Sequence, residues 1–196
     1  MNLSIPRSRI RESAVRLLLR QPFKTQYGMS VCWPRLPLIG GLAVYDTFDH
    51  FFRLTEKPSG AYGMSVVRDG INFILYESRN FPNHFAAYTI CHEIGHLTLL
   101  HDAPAAVLEA EADVFADEYL VPDCVVRYLC KREKRRLTTR EFQRYFYASE
   151  LVINRRVRSV FRDGENVMPS ELEFQLLEKL FDGPPPNCPR LAERDF

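Results

Sequence analysis

Residues 92–96 read His92-Glu93-Ile94-Gly95-His96. No other stretch constrains the fold of this chain as strongly. On a helix, positions i and i+4 lie on one face, about a turn apart. Two imidazoles placed that way can share one zinc ion at about 2.0–2.1 Å each. Glu93 follows the first imidazole and is rotated towards the water such an ion carries, where a carboxylate suits the work of a general base. The flanking residues predict the helix: Asn83, just after Pro82, can cap one that runs to about Leu100.

A catalytic zinc takes three protein ligands and keeps one position open. Downstream, Glu109, Glu111, Asp113 and His101 can supply the third. On a helix over 104–120 the apolar stripe is Leu108, Ala112, Phe115 and Tyr119, and Glu111 lies within it. A carboxylate aimed into a core is costly unless a metal or partner compensates it, which favours Glu111. Glu109, Asp113 and Asp117 step by four along a different, acidic face. Glu109 with Asp113 keeps a rival claim, because gluzincin peptidases use a Glu ligand followed four residues later by an Asp that supports a ligating His. His101 is a weaker rival. It stands nine residues after His92 without the glycine that precedes the third His of metzincins, and reads as an outer or loop residue.

Charge is segregated around the motif. The whole chain has 26 Lys+Arg against 25 Asp+Glu, net +1. Residues 92–126 hold eight acids and no Lys or Arg, net −8, whereas residues 127–162 hold twelve Lys or Arg and three acids, net +9. This pattern excludes an acidic tail and a uniformly basic nucleic-acid coat. With 46% apolar and 12% aromatic residues in 196, the composition is that of a folded domain with a real core. No apolar run approaches the roughly 20 residues needed to span a bilayer, and the N-terminus lacks the apolar core of a secretory signal. Five scattered cysteines without a CxxC pair point to a reduced, cytoplasmic setting.

Residues 7–20 read as an amphipathic helix, 28–40 as irregular, and Gly41 to Phe48 as a short strand. Met64–Val67 and Ile71–Tyr76 read as two strands joined by Asp69-Gly70, a dipeptide that tolerates the positive φ of a tight hairpin. Pro104 suits the first turn of a second helix ending near Leu120, before Pro122. Asp123 is expected to cap a helix over 124–136. Further helices are expected over Thr138–Phe146, Glu150–Phe161 (capped by Ser149) and Ser170–Phe181, with a loose tail from Pro184. The fold class is therefore α+β: a small antiparallel sheet packed on the motif helix, followed by a helical C-terminal region. The expected units are 1–126, with a core of about 60–125, then 127–182 and the tail 183–196.

The stretch Tyr88-Thr89-Ile90-Cys91-His92-Glu93-Ile94-Gly95-His96, followed by Glu109-Ala110-Glu111-Ala112-Asp113-Val114-Phe115-Ala116 and Tyr119-Leu120-Val121-Pro122, resembles the ImmA/IrrE family of metallopeptidases. The resemblance implies a zinc-dependent endopeptidase with His92 and His96 as ligands and Glu93 as the catalytic glutamate. It also implies Glu111 as the third ligand. Glu109, Asp113, His101 and Tyr119 are read from their positions as outer residues of the centre, with Tyr119 and His101 the candidates for a second oxyanion donor. Members of the family typically act inside bacterial cells or on mobile elements, often against a helix-turn-helix repressor. This chain departs from the family pattern at Ala86-Ala87, where a basic residue is common, and at Tyr119-Leu120, which replaces Leu-Leu.

The basic segment 127–162 suggests a helix-turn-helix, with Arg155, Arg156 and Arg158 on its second helix facing phosphates. Leu151, Val152, Val157 and Val160 suggest instead a helical subdomain packed on the catalytic core. The alternative to a peptidase is thus a non-cleaving regulator that binds DNA or a repressor through this region.

Overall fold

The computed structural model describes residues 5–20, 43–47, 62–77, 83–102, 105–162 and 167–181. The irregular stretch 28–40, Pro104 and the tail from Pro184 lie outside these residues. The element order is α1 (Arg7–Arg20), β1 (Ala43–Thr47), β2 (Gly63–Arg68), β3 (Ile71–Tyr76), α2 (Asn83–Leu99), α3 (Ala106–Leu120), α4 (Asp123–Arg132), α5 (Thr139–Phe142), α6 (Glu150–Arg162) and α7 (Glu171–Phe181). The fold is α+β. Among the described residues, no helix is long and apolar enough to cross a membrane.

The β2–β3 hairpin forms where expected. Asp69 and Gly70 have φ of 53° and 75°, and Arg68 pairs with Ile71 across the two-residue turn. Both turn residues being left-handed matches the turn's twist to that of the strands. β2 and β3 form the expected small antiparallel sheet. The short strand read over 41–48 adds to it as β1, parallel to β3 with Tyr45 opposite Ile74, and the order is β1-β3-β2. The central strand β3 buries Ile74 and Leu75, which point to opposite faces. β2 is left on an edge, and α2 packs against β2 and β3.

Two glycines set how closely the layers approach α2. A Cβ on Gly63 would run into Thr89 Cγ2 and stand 3.0 Å from Glu93 Oε1. A Cβ on Gly95 would stand 3.2 Å from both Ala112 Cα and Phe115 Cβ. No Cβ fits at Gly63, and one at Gly95 would force α3 to give by a few tenths of an ångström, so β2 lies directly over the motif and α3 crosses α2 at the motif's own glycine.

Helix α1 buries Ile10, Ala14, Val15, Leu17 and Leu18 against α3 and α7. Each large aliphatic side chain buried there contributes about 1.5–3 kcal/mol. Helices α4, α6 and α7 close the same core.

Three sequence expectations need correction. Asp123 does not cap α4. It is the helix's first residue, and its buried carboxylate lies 2.6 Å from Arg156 and 2.9 Å from Arg11. Helix α4 ends at Arg132, short of 136, because Lys134 turns left-handed at φ 54°; the Arg135 amide then donates to the Cys130 carbonyl, and the Lys134 amide to that of Lys131. The expected helix 138–146 is a single turn, Thr139–Phe142, closed by a capping box between Thr138 and Glu141. A helix-turn-helix built on it would have a first helix of only that one turn. The cap expected at Ser149 is present, its hydroxyl accepting from the Val152 amide, and Ser170, expected as the first residue of the last helix, instead stands just before it and accepts from the Glu173 amide.

The acidic and basic blocks also meet. Arg156 is 3% exposed and pairs with Glu118 and Asp123 while donating to the Val121 carbonyl. Arg155 pairs with Asp117. Two of the three arginines expected at phosphates thus join α6 to α3 and α4, and Arg158 is exposed. A buried charge is tolerable only when paired in this way.

Candidate metal centre

The His92 and His96 Nε2 atoms lie 3.0 Å apart on one face of α2. Across the close α2–α3 crossing, Glu109 presents Oε2 at 3.1 Å from His92 Nε2 and Oε1 at 3.6 Å from His96 Nε2. These three side chains form a group that could hold a metal ion, each offering a ligand atom within 4.8 Å of the others. The donor set suits zinc, which takes two imidazole nitrogens and a carboxylate readily and keeps a further position for water.

The structure does not bring Glu111 to the histidine pair. Glu111 is buried, as its place in the apolar stripe requires, but its compensating partners are not a metal site. Its Oε2 lies 3.1 Å from His101 Nε2, and its Oε1 accepts from the Ile5 amide at 2.6 Å. The rival spacing of Glu109 and Asp113 matches the geometry better. Asp113 Oδ1 lies 3.0 Å from His92 Nδ1 and accepts from the Tyr88 hydroxyl at 2.8 Å. A carboxylate only accepts, so His92 Nδ1 carries a proton towards Asp113, which leaves Nε2 as the nitrogen that could bind a metal at the centre. His101 approaches from behind, its Nδ1 at 2.9 Å from His96 Nδ1. Tyr119 lies elsewhere, buried in the core with its ring stacked on Phe115.

His101 reaches this place because of how α2 ends. Leu100 adopts φ 58°. The His101 amide donates to the His96 carbonyl at 3.0 Å, and the Leu100 amide to that of Leu97. This is a Schellman-type close with leucine where glycine is usual.

Glu93 is buried beside the ligand group, and the Ser65 hydroxyl of β2 donates to its Oε2 at 2.8 Å. Burial raises its pKa, while Ser65 and His92 pull the other way. Burial also opposes the charged form of His92, but the hydrogen bond and charge of Asp113, with Glu93 and Glu109, outweigh it and raise the pKa. Burial and the neighbouring His92 lower that of His96. The hydrogen bond to His92 holds Asp113 below the usual carboxylate range.

Ser65, Gly63 and Arg155 were missed as parts of this site by sequence reasoning. Arg155 donates to the Tyr88 hydroxyl at 3.0 Å, extending the line behind His92 to α6. Ser65 is 28 positions from Glu93 and carries no local signal of the contact. The Asp69-Gly70 turn did place β2, but nothing in the sequence sets its register against α2.

Comparison with known families gives one match: a peptidase family model described as the IrrE N-terminal-like domain covers residues 49–158. Searches of curated proteins and of solved structures found no match. The matched span begins ahead of β2 and ends within α6, so it takes in the motif helix, the α2–α3 crossing and every side chain gathered there. On that ground the chain belongs to the ImmA/IrrE family of metallopeptidases.

Proposed function

We propose that the protein is a zinc-dependent endopeptidase acting in the cytoplasm, with His92, His96 and Glu109 as ligands and Glu93 as general base. The observation that carries this reading is the convergence of the three ligand atoms next to a buried Glu93 fixed by Ser65. Zinc held there would supply Lewis acidity towards water and towards a scissile carbonyl. Glu93 accepts the proton of the attacking water and returns it to the leaving amine. Its raised pKa favours that return, and the Ser65 hydroxyl keeps one carboxylate oxygen in place. Asp113 fixes the ring of His92. Glu109 replaces Glu111 as proposed third ligand because it is the carboxylate within reach of both imidazoles.

The proposed substrate is a helix-turn-helix repressor, on the strength of the family resemblance. Residues 1–126 would act as the catalytic unit and the basic helical region 127–182 would contact the partner. With Arg156 buried and Arg155 paired to Asp117, exposed Lys134, Arg140, Arg144 and Arg158 are among the cations that region offers to an acidic partner or to DNA. The test is metal analysis with a Glu93→Gln variant. Zinc at one equivalent in both proteins, with cleavage of a co-expressed repressor by wild type alone, is the expected result. Equal cleavage by the variant, or no bound zinc, would refute the reading.

A further inference from the structure

Behind His96 runs an unbroken line of polar contacts that ends on the N-terminal segment. His96 Nδ1 faces His101 Nδ1 at 2.9 Å, His101 Nε2 faces Glu111 Oε2 at 3.1 Å, and Glu111 Oε1 takes the Ile5 amide at 2.6 Å. The His101 and Glu111 side chains are 4% and 5% exposed, so water does not compete for them. The line has one consistent proton order. Glu111 accepts at both oxygens, which puts the proton of a neutral His101 on Nε2. His101 Nδ1 is then an acceptor, so His96 must donate from Nδ1. That leaves His96 Nε2 bare and aimed at His92 and Glu109.

From this geometry we infer that Glu111 and His101 are positioning residues that set the tautomer and ring orientation of His96, and that the Ile5 amide holds the pair in place. The N-terminal segment, which lies outside the matched family span, then contributes to the affinity of the metal centre from more than a hundred positions away in sequence. Removing outer support of this kind typically costs 10–100-fold in metal affinity, an order-of-magnitude range. The inference rests on the ligand set proposed above.

The test is zinc affinity by chelator competition on the full chain, with thermal melts as a check on folding. Wild type should bind, and His92→Ala should not; if wild type fails to bind, the ligand set itself falls. Given binding, Glu111→Gln should weaken it by about 10–100-fold, because an amide cannot accept from both His101 and Ile5. Ile5→Pro, which deletes the one N–H, should weaken it several-fold. Leu177→Ala, a core change in α7, should lower the melting temperature and leave the affinity of the folded protein unchanged. Affinity within twofold of wild type in folded Glu111→Gln would overturn the positioning role. Complete loss of binding there would make Glu111 a ligand and overturn it equally. Should Glu111→Gln not fold, long-range proton–nitrogen NMR of zinc-loaded wild type decides. Protons on His96 Nδ1 and His101 Nε2 are required, and a proton on His101 Nδ1 excludes the arrangement.

Discussion

Glu109 and Glu111 stand two positions apart on α3 and face opposite environments. The Glu109 side chain is 53% exposed and reaches both imidazoles, while that of Glu111 is sealed behind His101. The supports of the two imidazoles differ in the same way. Asp113 backs His92 from the half-exposed face of α3, and His101 with Glu111 backs His96 from the interior. One helix thus offers an open face that holds charge for a ligand and a closed face that holds charge for the fold. The contrast teaches that burial identifies a carboxylate needing a partner without saying which partner it has.

Substitution should separate the two faces. The largest effect is expected for Glu109→Ala. It should cost more than about 100-fold in zinc affinity, beyond the range of an outer support, with little change in the melting temperature of the metal-free protein. A retained affinity would return the ligand role to the closed face. Glu111→Ala should show the opposite balance. It leaves the His101 and Ile5 donors buried and unanswered, and urea unfolding of the metal-free protein should lose about 1–3 kcal/mol. No loss of stability would mean that the interior line carries no structural weight.

Proton competition gives a smaller handle. Metal binding needs neutral imidazoles, so zinc affinity should fall as pH falls, by roughly tenfold per pH unit for each imidazole that must lose a proton. Because the pKa of His92 is raised with Asp113 as its main support, its competition begins above the ordinary imidazole range. Asp113→Asn should lower that pKa and shift the onset to lower pH. An unmoved onset in a chelator titration series would show that Asp113 does not govern His92. The smallest effect is expected at Leu100, 85% exposed and held at φ 58°. Leu100→Gly relieves a left-handed conformation that costs a side chain about 1–2 kcal/mol, partly offset by glycine's greater backbone entropy when unfolded. The variant should gain about 0.5–1 kcal/mol in urea with zinc affinity intact. A loss of affinity would reveal that the leucine itself helps place His101.

Much of the scaffold was legible because its signals are local. The Asp69-Gly70 turn specified the hairpin, and the capping Ser149 marked the start of α6. Where local signals were missing, the reading slipped. Helix α4 ends at Arg132 and closes on a left-handed Lys134, with no glycine or proline to announce it, and β1 joins the sheet in parallel through a pairing that bridges distant segments. The charge blocks misled in a different way. Counted along the chain they looked like two separate surfaces, yet Asp117, Glu118 and Asp123 pair with Arg155 and Arg156.

By itself the sequence determined the motif helix, because the i, i+4 spacing of His92 and His96 and the position of Glu93 are properties of one turn of backbone. It also determined that an acid on α3 would be buried, since helical periodicity sorts residues by face. Only the tertiary structure decided which acid meets the imidazoles. That choice follows from the close crossing at Gly95 and Ala112, which brings Glu109 within reach of both, and from the left-handed turn at Leu100, which sends His101 back to partner Glu111. Periodicity reports which way a side chain faces, and packing decides what it finds there.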